Sequence, residues 1–195
     1  MKGYAFDKNQ KDSVQLFAMF EAAAQCPIPI VAKVKGHVMG GANGLVAMAD
    51  IAAACSDTVF AFSEVRLGLV PAVISPFVLA KMNKASAREK MITGRRFSEP
   101  ERLNSGLVQF VGAEKAVDRF INEITEAILN SGPEAVHTTI QLLGDLDRCS
   151  DWEQIKELTT RVIAERRVSV EGQEGLTAFF DKRKPTWSKS LNANH

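Results

Sequence analysis

The run Ile30-Val31-Ala32-Lys33-Val34-Lys35-Gly36-His37-Val38-Met39 ends in the pair Gly40-Gly41 and continues at once as Ala42-Asn43-Gly44-Leu45-Val46-Ala47-Met48. A β-rich run that meets paired glycines and then an apolar run of helical character reads as a strand-to-helix junction, which points to an α/β core. Backbone N–H groups at such a turn lack intrahelical acceptors, and donors of that kind can meet developing negative charge. The plainer reading of the turn alone is a glycine used for positive φ or close packing. Spacing argues against phosphate cradling, since neither G-x-G-x-x-G nor a Gly-Lys-Ser/Thr sequence follows the strand.

Twenty positions after Gly44 comes Glu64, within Phe62-Ser63-Glu64-Val65-Arg66-Leu67-Gly68-Leu69-Val70-Pro71. A solvated loop is the common fate of a glutamate. Here Phe60, Phe62, Val65, Leu67, Leu69 and Val70 are its neighbours in sequence, and a partly desolvated carboxylate opposite the glycine turn suits proton transfer beside a carbonyl. Hydrolase chemistry fares worse: there is no G-x-S-x-G elbow, and Ser56, Ser63 and Ser75 lie near no histidine partner in sequence. His37, His137 and His195 are too scattered for a metal site, and His37, beside the turn, reads more readily as a packed or surface residue than as a pocket group. Lys182-Arg183-Lys184 reads either as a solvated helix end or as a contact for a ligand phosphate.

Elsewhere the pattern predicts a helix from Lys8 to Cys26, ended by Pro27 and Pro29, with Val14, Phe17, Phe20 and Ala24 on one face. Strands are expected at Ile30–Val34, Ile51–Cys55, Val59–Phe62 and Leu107–Val111, and helices from an N-cap at Ser75 to about Met82, at Ser86–Thr93 and at Ser98–Asn104. From Ala113 onward nearly everything reads as helix, so the expected division is 1–112 for an α/β core and 113–195 for a helical region that serves as an oligomerisation surface. The polar tail Ser188–His195 is expected to fray.

The 195 residues carry 24 basic and 23 acidic side chains, a net charge of +1, so no global field argues for nucleic acid or an anionic membrane as partner. Cys26, Cys55 and Cys149 are an odd, unpaired set that disfavours disulfide or zinc frameworks and fits a reducing cytoplasm. No apolar run reaches the roughly 20 residues of a membrane span, and the N-terminus lacks the apolar core of a signal peptide. A cytoplasmic protein is the expectation.

Taken together, Gly36-His37-Val38-Met39-Gly40-Gly41, Ala49-Asp50, Glu64-Val65-Arg66-Leu67-Gly68-Leu69-Val70-Pro71, Thr93-Gly94 and Glu174-Gly175-Leu176-Thr177-Ala178-Phe179 resemble the enoyl-CoA hydratase/isomerase (crotonase) family. The stretch Ser63 to Pro76 looks most like its methylglutaconyl-CoA hydratase branch, which would place the chain in leucine degradation. The resemblance implies a spiral of ββα turns with a C-terminal helical region that builds trimers, often paired into hexamers. It implies acyl-CoA substrates of fatty acid metabolism, with coenzyme A as part of the substrate and no separate cofactor or metal. By the same resemblance the Gly41 N–H holds the thioester oxygen, Glu64 moves the Cα proton, Met39, Gly40, Ser63, Leu69 and Pro71 contact substrate, and Lys182 and Lys184 meet a CoA phosphate.

Two departures from the family pattern follow. Hydratases of the family commonly carry a first glutamate where this chain has Gly44, which leaves Asn43 or a substrate carboxylate to orient water. The family's upstream strands, with a motif supplying the first oxyanion N–H, precede the segment matching Met1 to Phe6, so the core is expected to be N-terminally truncated by roughly a quarter of the usual domain. The expected reaction is hydration of an enoyl-CoA, a lyase activity. The alternatives are double-bond isomerisation using Glu64 alone, or a catalytically silent acyl-CoA-binding or oligomerisation subunit.

Overall fold

The computed structural model describes residues 5–188. The expected fraying of the tail falls on residues that, beyond Ser188, lie outside the described ones.

Helix α1 (Phe6–Ala24) is followed by strands β1 (Val31–Val34) and β2 (His37–Met39) and helix α2 (Ala42–Met48). The next turn repeats the pattern with β3 (Ile51–Cys55), β4 (Val59–Ala61), a 3₁₀ turn over Ser63–Leu67, and helices α3 (Ser75–Lys81), α4 (Lys84–Thr93) and α5 (Glu99–Asn104), before β5 (Phe110–Gly112). Every pairing is parallel. One sheet has the order β1-β3-β5 and the other β2-β4, so each ββ unit sends its first strand to one sheet and its second to the other. This is a ββα spiral.

The central strand β3 shows why both faces of the larger sheet can be covered. Ala52, Ala53 and Ala54 are fully buried, and their small side chains let layers close on either side. Phe20, Phe60, Phe62, Val78, Leu107 and Val108 fill the principal core. Phe97 packs at a tilt against both Phe60 and Phe62, with ring centroids 5.8 and 5.9 Å away, and its N–H donates to Phe60 O at 3.0 Å.

The helices α6 (Glu114–Leu129), α7 (Pro133–Leu146), α8 (Trp152–Val168) and α9 (Val170–Phe180) follow. The chain divides into two compact units, one of residues up to 26 with 30–121, the other of 27–29 with 122 onward, so the division falls inside α6. Within the second unit the Glu171 carboxylate accepts from the first N–H groups of α7, Glu134 N at 2.9 Å and Ala135 N at 2.8 Å. Gly132 leaves room for it, since a Cβ there would lie 2.5 Å from Glu171 Oε1.

Several local expectations need correction. The amphipathic face of α1 is buried only at Phe20, while Val14 and Phe17 remain exposed. Ser75 is not an N-cap: Ile74 holds that position, and the Ser75 hydroxyl donates to Pro71 O at 2.6 Å. Leu107 and Val108 are core residues ahead of the last strand, which begins at Phe110. The expectation of an N-terminally truncated core is corrected to a core in which helix α1 is formed and contributes Phe20.

Candidate active site

The parallel register of β2 on β4 brings the two sequence motifs together. Met39 pairs with Ala61, and Gly40 N–H extends the ladder to Ala61 O at 3.2 Å. The chain then leaves β2 through Gly40, at φ +53°, and leaves β4 through Phe62 into the 3₁₀ turn that carries Glu64. Both motifs therefore emerge from the carboxyl ends of neighbouring parallel strands, where α/β folds commonly place their sites.

Glu64 stands directly beside the glycine turn. A Cβ built on Gly40 would lie 3.4 Å from Glu64 Oε1 and 3.9 Å from Oε2. The Oε2 atom is buried and has no hydrogen-bond partner, an arrangement that leaves a carboxylate oxygen available to a ligand. The backbone around it is tied down: Leu69 N–H donates to Glu64 O at 3.0 Å, and Gly68 closes the 3₁₀ turn at φ +70°. Gly94, at the end of α4, permits this turn to sit close, since a Cβ there would meet Val65 Cγ2 at 3.0 Å and Phe62 O at 3.2 Å.

Gly41 is exposed at the start of α2, and among the described residues its N–H has no hydrogen-bond acceptor. This free N–H comes one residue after Gly40, the glycine that stands beside Glu64. Met39, Ser63 and Pro71 are half-buried and Leu69 is exposed. His37 lies exposed at the start of β2, before the glycine turn.

Two residues have roles that the sequence did not disclose. Gly44 is buried, and a Cβ there would come within 2.6 Å of Ile74 Cγ2 and 2.7 Å of Phe20 Cζ. Asn43 is fully buried, and its amide nitrogen donates to Ala61 O at 2.9 Å, Gly40 O at 3.1 Å and Val38 O at 3.4 Å. With its N–H groups occupied and its Oδ1 sealed from solvent, Asn43 is no longer a candidate for orienting water. A polar residue inside an apolar helix, just past a glycine pair, was the available signal.

Lys182 and Lys184 belong to the second unit, after α9. Arg183 between them is held by Glu174 through two contacts of 2.8 Å, and Glu174 also accepts from Thr186 N at 2.9 Å. These donors, the Arg183 guanidinium first, hold the Glu174 carboxyl down to about 2. Among the described residues neither lysine has an ion-pair partner.

A model of the enoyl-CoA hydratase/isomerase family matches residues 1–190. The chain is 30% identical over 164 residues to a mevalonyl-coenzyme A hydratase of Aspergillus fumigatus, covering 83% of this chain and 61% of that one. It is 26% identical over 179 residues to a putative enoyl-CoA hydratase of Thermus thermophilus, covering 92% and 70%. The crystal structure of a putative enoyl CoA hydratase/isomerase (crotonase) from Legionella pneumophila is similar at 36% identity with a TM-score of 0.87, covering 95% of this chain and 71% of the other. The chain thus spans about three fifths to seven tenths of the length of these curated relatives.

The family model matches residues 1–190, so the expectation of a core lacking its N-terminal quarter is corrected to a family match along essentially the whole of the given chain. The narrower likeness to a methylglutaconyl-CoA hydratase branch is corrected as well. The family matched is the broad enoyl-CoA hydratase/isomerase one, and it indicates no methylglutaconyl-CoA branch.

Proposed function

The chain belongs to the enoyl-CoA hydratase/isomerase family, and on that premise we propose that it adds water across the α,β double bond of an acyl-CoA thioester. The observation that carries this reading is the Glu64 carboxylate beside Gly40, with one buried oxygen unbonded, next to the unpaired N–H of Gly41. The thioester oxygen would accept from the Gly41 N–H, which stabilises the negative charge that develops there as water attacks the β-carbon. One proton of the water passes by way of Glu64 to the α-carbon, so the carboxylate ends the reaction as it began. Met39, Gly40, Ser63, Leu69 and Pro71 would surround the acyl thioester.

Lys182 and Lys184, which have no ion-pair partner among the described residues, suit the phosphates of coenzyme A. Coenzyme A enters as part of the substrate, and the reading requires no further cofactor. Exposed Val168, Val170, Phe179 and Phe180 support a helical region that associates into trimers or pairs of trimers. Among the described residues no helix is long and apolar enough to cross a membrane. The three free cysteines support a cytoplasmic location.

The crowding at Gly44 favours a second reading, isomerisation of a 3-enoyl to a 2-enoyl thioester, because one carboxylate can carry a proton between carbons. Purified protein incubated with crotonyl-CoA and, separately, with a 3-enoyl-CoA distinguishes them. Hydration of crotonyl-CoA is the expected result. Conversion of the 3-enoyl thioester without hydration would select the second reading, and inertness toward both would remove the first and the second together.

A further inference from the structure

The amide of Asn43 sits where the two halves of the site are joined. Its nitrogen donates to Gly40 O at 3.1 Å, an oxygen that also accepts from the Asn43 backbone N–H at 3.0 Å. The same amide nitrogen donates to Ala61 O at 2.9 Å, and that oxygen accepts in addition from Gly40 N–H at 3.2 Å. One buried side chain therefore grips the turn after β2 and the last residue of β4, three positions before Glu64.

The peptide plane gives this grip its consequence. Gly40 C=O and Gly41 N–H belong to one trans peptide unit and point in opposite directions, so two donors holding the oxygen also set where the N–H aims. Those donors polarise the same unit, which strengthens its N–H as a donor. Resting on the hydratase reading above, we propose that Asn43 is a positioning residue: it aims the Gly41 N–H and holds it in register with Glu64.

The side chain's own chemistry favours this role over filling space. Three carbonyl oxygens face its nitrogen, while its Oδ1 is buried without a donor. A buried acceptor left unbonded opposes folding, and an apolar side chain of the same size would avoid it. What Leu could not supply is the pair of N–H groups.

The test is Asn43→Leu, close in shape and without donors, measured against the wild type and Glu64→Gln. With crotonyl-CoA the expected result is a kcat lower by about 10- to 100-fold with KM changed less than about threefold, the pattern of a misaligned donor. A second readout uses a cinnamoyl-CoA-type thioester, whose absorption moves to longer wavelength when its carbonyl is polarised. Bound to wild-type protein it should shift, and bound to Asn43→Leu it should lose most of that shift. Unchanged kcat and an unchanged shift in Asn43→Leu, with Glu64→Gln inactive, would overturn the positioning role alone.

A wild type that neither hydrates crotonyl-CoA nor shifts the chromophore would overturn the hydratase reading, and the role of Asn43 with it. Should Asn43→Leu fail to fold, the wild type carries the test through the Asn43 side-chain amide protons. Their exchange with solvent should slow when the cinnamoyl thioester binds, because the ligand closes the hydrogen bond on the far side of the same peptide. Exchange indifferent to the ligand would overturn the proposal.

Discussion

The ring of Phe20 on α1 lies over Gly44 on α2 so closely that a Cβ on the glycine would come within 2.7 Å of its Cζ. Ile74 closes the same space from the loop before α3, at 2.6 Å. The family resemblance expects a glutamate at this position in two-carboxylate hydratases. Here the volume is already occupied by side chains that are 1% and 2% exposed, so the glycine is a packing requirement of the helix pair.

Restoring that glutamate should therefore fail. Gly44→Ala is expected to lower unfolding free energy by about 1–3 kcal/mol through overpacking, and Gly44→Glu by more, because it adds a desolvated carboxylate. Urea denaturation checks both. Pairing Gly44→Ala with Phe20→Leu should recover part of the loss, since the ring is the partner in the clash.

Gly40 makes a different prediction, because a methyl there would meet only ordinary contacts while its backbone conformation disfavours any side chain. At φ +53° a side chain is disfavoured, and a methyl would touch Glu64 Oε1 at an ordinary contact distance of 3.4 Å. Gly40→Ala should destabilise by about 1–2 kcal/mol and lower kcat further than a stability loss of that size accounts for, since the methyl fills space beside the reacting carboxylate. Thermal melts and crotonyl-CoA kinetics on the same preparation separate the two effects.

Acid should loosen the segment after α9. The Glu174 carboxyl is lowered from 4.5 to about 2 by its bonds to Arg183 and Thr186 N. A group with a depressed folded value contributes stability that is full above its unfolded value and is lost as pH falls through the folded one. The contribution should therefore fade between about pH 4.5 and 2. Arg183→Gln should flatten that part of the stability profile, and fluorescence of Trp187, whose indole N–H donates to Asn130 O at 3.3 Å, follows it.

The sequence disclosed the pieces of the site more readily than their assembly. The β-rich run and the Ala/Leu/Val helix are continuous patterns, so β1 and α2 were legible where they lie. Strand β2 was not, because Gly36 turns the chain at φ +82° and a strand of three residues carries no period. The 3₁₀ turn under Glu64 was hidden for the same reason, being short and rich in the residues of a loop. Gly40 and Glu64 were each visible, but their contact depends on the register of Met39 against Ala61. The uses of Gly44 and Asn43 depend on residues 20, 74 and 61, which no local pattern connects to them.

Proton transfer by Glu64 is tested by Glu64→Gln, since the amide keeps the shape and removes the base. The decisive measurement is kcat for hydration of crotonyl-CoA by wild-type and Glu64→Gln protein of matched thermal stability. A loss of about 10²- to 10⁴-fold is expected. Full turnover by the folded variant would contradict it.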